Sequence, residues 1–224
     1  MISRSSIRDA LDGYPHVSPW ARWNLRLNPF GEPPAAELPD LIVAEIEGHA
    51  EWARRPRHAV HVVGDKGRGK SARLAAIHQR LPEFPLVYLA EDEPLPALPR
   101  AGGLLLDEAQ RLPRRRRRQL FAQLEHLVLT SHEDHRGELL AAGWKVRAVR
   151  VRGLGADRLV ALLQRRLNWA WNGTPPVPQV PSSVVDGLLS RHGDDIRAML
   201  DELYERLQRA VHGTDLWEGR HGQV

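Results

Sequence analysis

Residues 61–71 read His61-Val62-Val63-Gly64-Asp65-Lys66-Gly67-Arg68-Gly69-Lys70-Ser71, and the expected fold follows from them. Before the glycines stands a short apolar run rich in β-branched residues, Ala59 to Val63, which is typical of a buried strand. After them, the apolar spacing from Ala72 to Leu81 predicts a helix. The segment is therefore a strand, a glycine-rich turn and the start of a helix.

Eight of these residues, Gly64 to Ser71, fit the pattern G-x-x-x-x-G-K-[ST] of a phosphate-binding loop. Glycines tolerate positive φ and let main-chain N–H groups close around phosphates, and the helix N-terminus adds further donors. In such a loop Lys70 reaches the β- and γ-phosphates, and the Ser71 hydroxyl ligates Mg²⁺. The alternative is a strand-to-helix turn with a surface lysine, which the flanking elements disfavour. The predicted nucleotide-binding residues are Gly64, Asp65, Lys66, Gly67, Arg68, Gly69, Lys70, Ser71 and Ala72.

Composition narrows the function classes. The 224 residues contain 42% hydrophobic residues and no cysteine, which excludes a disulfide framework, a thiolate zinc site and a cysteine nucleophile. No apolar run is long enough to span a bilayer and no secretory segment is visible, so we expect a cytoplasmic protein. The net charge is +4, and nearly all the positive charge is arginine. Because +4 is modest, a nucleic-acid interface would need a cluster of basic residues.

Apolar segments predict a parallel α/β sheet followed by helices. The predicted strands are Ala59–Val63, Pro85–Ala90, Gly102–Glu108, Leu127–Thr130 and Trp144–Val151. The predicted helices of this part are Leu38–Arg54, Ala72–Leu81, Arg111–Leu124 and Gly137–Ala142. After Gly153 the pattern is helical, with one stripe at Leu159, Leu162, Leu163, Leu167 and Ala170. Next come a helix Val184–Arg191, capped by Ser182 or Ser183, and a last helix from Ile196 to Leu207.

These elements predict an α/β fold: a parallel five-stranded nucleotide-binding sheet flanked by helices, then a small C-terminal α-helical lid. The expected divisions are an N-terminal arm at 1–35, the core at 36–153, the lid at 154–212 and a flexible tail at 213–224. The arm is rich in proline and aromatic residues, and we expect it to pack on a domain surface beside the adenine.

The third predicted strand ends in two acids, Asp107 and Glu108. Beside a phosphate loop, Asp107 would hold Mg²⁺ through water, and Glu108 would orient and deprotonate the attacking water. Two acids can also simply end a strand, but the upstream loop favours a hydrolytic site. Thr130 and Ser131 end the fourth strand, where a polar residue could sense the γ-phosphate or bond its own turn.

From about Leu38 to Val211, the order of these motifs and elements along the chain resembles that of the AAA+ ATPases. The likeness is carried by GDKGRGKS, GGLLLDEAQ, LVLTSHE and the three-helix C-terminal segment. RHGDDIRAMLDELY, Arg191 to Tyr204, is similar to the sensor-2 helix of clamp-loader and origin-recognition members, which implies that Arg197 touches the γ-phosphate. DEAQRL also looks like bacterial transposition-helper and secretion-type ATPases. The resemblance implies ATP/ADP and Mg²⁺ as ligands, and self-association or a protein partner.

Two features depart from that family. The gap between the second and third predicted strands, Glu91 to Ala101, is short, acidic and proline-rich, which does not favour a pore loop. No arginine-finger pattern stands out, and Arg136, after the fourth strand, is the candidate. His132 and His135 suggest a metal pair, but without a third ligand a polar loop is the better interpretation.

Five consecutive arginines follow Pro113, namely Arg114, Arg115, Arg116, Arg117 and Arg118. On a helix they point to every side, so some must approach the sheet or a neighbour. They could form a nucleic-acid patch, pair with an acidic partner or with Glu91-Asp92-Glu93, or be a solvated face.

Three functions remain open from the sequence. The first is an ATP-hydrolysing switch that works with a macromolecular partner. The second is a DNA-associated adaptor in which ATP controls assembly, and the third is a signalling NTPase of the STAND type. ATP rather than GTP follows only from the resemblance.

Overall fold

The structure is a computed structural model that describes residues 18–34, 36–44 and 46–211. Within these ranges the chain forms five strands and seven α-helices. The strands are β1 His58–Val63, β2 Leu86–Tyr88, β3 Gly103–Asp107, β4 His126–Ser131 and β5 Lys145–Arg150. The helices are α1 Glu47–Ala53, α2 Lys70–Arg80, α3 Arg114–Gln123, α4 Arg136–Ala141, α5 Ala156–Ala170, α6 Ser182–His192 and α7 Ile196–Val211. The first half of the predicted arm and the predicted tail at 213–224 lie outside the described residues.

The five strands form one parallel sheet in the order β2-β3-β4-β1-β5, which confirms the predicted fold class. Side chains alternate between its two faces. Leu104 and Leu106 of β3 pack with Phe121 of α3, whereas Leu105 packs with Leu74 of α2 on the other face. Both faces are therefore covered by helices, which is why the strands read as continuous apolar runs.

The sheet order sets where a ligand can bind. The chain leaves β1 for α2 on one face of the sheet, and leaves β3 and β4 for α3 and α4 on the other. Neighbouring loops therefore diverge at the carboxyl ends of β1 and β4. In open parallel sheets such a switch point is the usual ligand crevice.

The single helix predicted from Leu38 to Arg54 is wrong. The chain forms a short 3₁₀ turn, Leu38–Leu41, leaves helical geometry at Ile42, and begins α1 only at Glu47. Pro39 supports only the first turn of such an element, and the β-branched pair Ile42-Val43 follows directly, so the local sequence ends it early.

Two further predictions at helix and strand ends are wrong. Neither Ser182 nor Ser183 caps α6, because both lie inside its first turn and the N-cap residue is Pro181. β3 ends at Asp107, since Glu108 has a left-handed φ of 63° that breaks the strand. A 3₁₀ turn, Ala109–Arg111, then precedes α3, which begins after Pro113.

The helices α5 to α7 build their own core, and the predicted apolar stripe of α5 lies in it. The described part of the arm packs against this lid. Leu25 is buried against Leu167 and Ala170, and the Arg166 guanidinium donates hydrogen bonds to the carbonyl oxygens of Pro29 and Gly31. The arm therefore runs along α5, with Leu25 near the C-terminal end of the helix and Pro29 to Gly31 beside Arg166.

A buried polar cluster lies under the carboxyl ends of β1 and β4. His61 is fully buried, its Nε2 is 2.7 Å from Ser131 Oγ, and its ring stacks on His135 at 5.8 Å between centroids. His135, expected in a polar loop, is also buried. Burial, and secondarily His135, lower the pKa of His61 to about 4, although Asp134 acts in the opposite direction.

We expect His61 to make stability depend on pH. The pKa of His61 rises on unfolding from about 4 to the ordinary histidine value of 6.5, so the unfolded chain binds the extra proton. The stabilisation is therefore complete above pH 6.5 and is lost as pH falls towards 4, by up to about 3 kcal/mol. Urea unfolding at pH 7 and pH 5 measures it. His61→Gln should flatten the difference, while His78→Gln on α2 should not; equal pH dependence in both variants would contradict the assignment.

Candidate functional site

The loop Gly64–Gly69 joins β1 to α2, and its backbone geometry requires glycine. Gly67 and Gly69 have φ values of 81° and 82°. A Cβ at Gly64 would lie 2.4 Å from the carbonyl oxygen of Val151, and one at Gly67 would lie 2.3 Å from Asp195 Oδ1. The loop can therefore adopt this conformation only with glycine at these three positions.

Lys70 begins α2 and is buried, with 5% of its surface exposed. Its Nζ donates a hydrogen bond of 2.9 Å to the carbonyl oxygen of Asp65, across the loop. Burial lowers the pKa of Lys70, whereas the charges of Glu108 and Asp107 act in the opposite direction. The structure thus brings Lys70 and both predicted strand-end acids to one place.

Hydrogen bonds from Thr130 and from the Glu108 main chain fix the Asp107 carboxylate. The Thr130 hydroxyl donates a hydrogen bond to Asp107 Oδ1, and the Glu108 N–H lies 3.1 Å from the same oxygen and from Thr130 Oγ1. Thr130 is fully buried. In this structure Thr130 therefore contacts Asp107, and it is not among the residues that line the cleft.

Three side chains converge on one carboxylate oxygen, Glu108 Oε2. Gln110 Nε2 donates to it at 2.7 Å, His132 Nε2 lies 3.4 Å away and an Arg111 Nη lies 3.6 Å away. Arg111 also bonds the carbonyl oxygen of Leu89 and pairs with Glu91. Glu108 is thus positioned by residues from the turn after β3 and the end of β4.

These groups open into one cleft of about 1860 Å³ between the sheet and the lid. Small-molecule pockets usually measure roughly 300–1,000 Å³, so this is an open groove with room for a nucleotide. It is lined by Lys66 to Arg73, by Asp107 and Glu108, by Arg197 of the lid, and by Phe30 to Pro33 of the arm. The cleft contains ten lysine and arginine side chains against five carboxylates, so it favours a polyanionic ligand.

The lid contacts the Gly64–Gly69 loop through the turn before α7. Asp194 pairs with Arg68 and accepts a hydrogen bond of 3.1 Å from the Gly153 N–H. Asp195 caps α7, since its Oδ1 accepts the Ala198 N–H at 3.1 Å. This cap stabilises the first turn of α7, which carries Arg197. Burial is the main cause of the lowered pKa of Lys70, and the charge of Arg197 acts in the same direction, so the two cations are neighbours.

The five arginines of α3 do not share one environment. Arg117 is buried and donates to both carboxylate oxygens of Glu138, at 2.7 and 2.9 Å, and to the Leu112 carbonyl oxygen. Arg114 lies 3.9 Å from Glu138. The remaining three are exposed and form no ion pair within the described part of the chain: Arg115, Arg116 and Arg118.

Arg136, the candidate arginine finger, is exposed and pairs with Asp134 at 2.7 Å. Within the described residues it does not line the cleft. The described ranges also contain no group of three His, Cys, Asp or Glu side chains that could hold a metal ion. A Mg²⁺ ion bound largely by substrate phosphates needs no such cluster.

Sequence reasoning missed several residues of the site. Gln110, Arg111 and His132 around Glu108 were not predicted as a group, and neither was the Asp194-Asp195 contact with the loop. One signal was present: Gly193-Asp194-Asp195 before Ile196 is a helix-start pattern, which places Arg197 in the first turn of α7. The contacts of Arg111 are non-local and have no sequence signal.

No protein-family model matches the sequence, and neither does any curated protein. Among solved structures, the chain is similar to domain III of the replication initiation protein DnaA from Thermotoga maritima. The TM-score is 0.54 at 12% identity, over 83% of this chain and 94% of that chain. Also similar, at lower scores, are Drosophila ORC bound to DNA (0.47, 13% identity, 80% of this chain and 61% of that one) and Saccharomyces cerevisiae RIF2 (0.41, 10% identity, 81% and 88%).

The likeness to DnaA domain III supports the α/β fold found here, with a parallel sheet, flanking helices and a helical lid. None of the helices in the described ranges has the length and apolar character needed to cross a membrane.

Proposed function

We propose that this protein is a Mg²⁺-dependent ATP-binding and ATP-hydrolysing switch of the AAA+ type, which acts with a macromolecular partner. The observation that carries the proposal is the cleft itself. The Lys70 ammonium, the Ser71 hydroxyl and the carboxylates of Asp107 and Glu108 border it together. The sequence motif and the fold likeness support the same function.

The residues present fit a nucleotide. The Lys70 ammonium donates to a carbonyl oxygen of its own loop, and it would exchange this acceptor for a phosphate oxygen when a nucleotide binds. Buried Arg68 Nη1 has no partner within the described residues. Both groups are donors that a polyphosphate would satisfy.

The residues also fit a divalent ion. Thr130 and the Glu108 N–H occupy Asp107 Oδ1, which fixes the carboxylate and leaves Ser71 and Asp107 as the oxygen donors expected for Mg²⁺. When bound, Mg²⁺ would neutralise charge on the terminal phosphates. Ser71 is exposed to the cleft, so its hydroxyl can turn towards the ligand.

Glu108 is the base in this proposal. A water molecule attacks the γ-phosphorus, its proton passes to the Glu108 carboxylate, and the bond to the β-phosphate oxygen breaks to release ADP. Gln110, Arg111 and His132 hold the carboxylate in its present orientation. Because proton transfer is sensitive to orientation, these contacts would set the rate of turnover.

Arg197 would couple the lid to the nucleotide state. It borders the cleft from α7, whose start is tied to the phosphate loop through Asp194 and Arg68. A guanidinium that contacts the γ-phosphate would draw the lid in while ATP is bound and release it after hydrolysis.

We predict that Lys70→Ala loses nucleotide binding, because it removes the one buried ammonium in the phosphate loop. Glu108→Gln should keep binding and lose turnover by a factor of roughly 100 or more, since it removes only the base. Fluorescent-nucleotide titration and phosphate release measure the two effects. Lys145→Ala and Glu125→Gln, which alter exposed residues outside the cleft, are the controls; wild-type turnover in Glu108→Gln would remove Glu108 as the base.

The second candidate is a DNA-associated adaptor in which ATP controls assembly and turnover is secondary. The specific observation that favours it is a group of exposed arginines on α3 that form no ion pair with any described residue, namely Arg115, Arg116 and Arg118. Guanidinium groups without carboxylate partners are available to phosphates of a nucleic acid. Arg117 is excluded from this role, because Glu138 and the Leu112 carbonyl already satisfy it.

We predict that converting Arg115, Arg116 and Arg118 to Glu weakens duplex DNA binding and flattens its dependence on salt. Each phosphate contact contributes about 0.9 to the slope of log affinity against log salt concentration. Fluorescence anisotropy between low and moderate salt measures the slope. The same reversal at Arg55, Arg100 and Lys145, which are exposed and form no ion pair within the described residues, is the matched control. Equal binding by both triple variants would rule out α3 as the interface.

A further inference from the structure

The cleft has a second end, away from the two strand-end acids. β3, which carries Asp107, lies on one side of β1 in the sheet, and β5 lies on the other. From β5 the chain runs into the lid helix α5. A 5′-triphosphate whose terminal phosphates face Asp107 and Glu108 therefore directs its nucleoside towards α5.

Arginines line this nucleoside end from two walls. On α5, Arg158, Leu162 and Arg166 recur every fourth residue, so they form one stripe of the helix, and all three border the cleft. Arg73 borders it from α2. The 3₁₀ turn Leu38–Leu41 packs against both helices and holds the two walls together.

In the part of the chain that the structure describes, these three cations have no acidic partner. Within the described residues, Arg73 and Arg158 form neither an ion pair nor a side-chain hydrogen bond. Arg166 is 6% exposed, donates only to main-chain carbonyls, and its buried Nε has no partner in the described ranges.

The pKa shifts of two of these arginines also indicate cations without a compensating anion. Burial, and then the neighbouring charge of Arg158, lower the pKa of Arg73. Burial lowers the pKa of Arg166 to about 10. Arg158 itself is exposed to the cleft. A cation withdrawn from water without a carboxylate partner, as for part-buried Arg73 and buried Arg166, is costly, and such costs are concentrated at binding sites.

We propose that Arg73, Arg158 and Arg166 form an anion-binding subsite for a phosphate on the ribose of the bound nucleotide. The inference rests on the proposed nucleotide site and names its ligand class: a nucleoside 5′-di- or triphosphate that is also phosphorylated at the 2′ or 3′ hydroxyl. The phosphate loop and Lys70 already serve the 5′ chain. A neutral base would leave all three charges uncompensated, whereas a phosphate offers oxygens that match a guanidinium fork.

The test compares matched ligands on the full chain. Isothermal titration measures the Kd of ADP and of its 2′-phosphate and 3′-phosphate derivatives, against the wild type and against Arg73→Gln and Arg158→Gln. We expect one ribose-phosphorylated derivative to bind at least about tenfold tighter than ADP, as one charge-assisted contact allows. Each variant should lose this preference and keep the Kd of ADP, and Arg118→Gln should change neither.

The contrary results separate the two proposals. If ADP binds and neither derivative binds tighter, the subsite is wrong and the nucleotide site stands. If the variants weaken ADP and the derivatives by the same factor, the arginines serve the 5′ chain and the subsite is again wrong. If none of the three ligands binds the wild type, the nucleotide site and the subsite both fail.

Discussion

The ammonium group of Lys70 is buried, and the site depends on how its charge is compensated. An ammonium ion removed from water costs several kcal/mol unless it is paired. Here the Asp65 carbonyl accepts its hydrogen bond, and Asp107 and Glu108 lie close enough to favour the charged form. The strand that ends in acids and the loop that ends in lysine are therefore complementary parts of one electrostatic unit.

The backbone segments around Lys70 approach one another closely, and glycines make this possible because they have no Cβ atom. Gly64 lets β1 pass the carbonyl of Val151 after β5, and Gly153 lets the start of the lid approach Asp194. The loop, the linker to the lid and the turn before α7 therefore contact one another directly. A ligand that moves the loop can shift the lid without a long chain of intermediates.

Much of the fold could be predicted because its signals are local. β1, β3 and β4 are apolar runs, and the loop motif identifies the β1–α2 turn without any knowledge of the sheet. The five-stranded parallel sheet with its helical lid was predicted correctly, and the likeness to DnaA domain III supports it. The predicted helix boundaries were wrong at two places. Pro39 supports only a short turn where a longer helix was expected, and Pro181 takes the capping position expected of a serine.

The candidate site was only partly predictable, because half of it comes from contacts between distant segments. The loop residues and the two acids follow from the sequence. The partner of Arg117 does not, since Glu138 lies on another helix, and the same holds for the contacts that Gln110, Arg111 and His132 make with Glu108. Of the five consecutive arginines, one is buried and structural, one is exposed and lies 3.9 Å from a carboxylate, and three are exposed without an ion pair to any described residue.

A crystal structure with Mg²⁺ and a non-hydrolysable ATP analogue would show directly whether the buried Lys70 ammonium binds phosphate. We expect Lys70 Nζ to leave the Asp65 carbonyl for the β- and γ-phosphates, with Asp107 and Glu108 facing the terminal phosphate. Lys70 still bonded to Asp65, with the analogue bound elsewhere, would contradict this expectation.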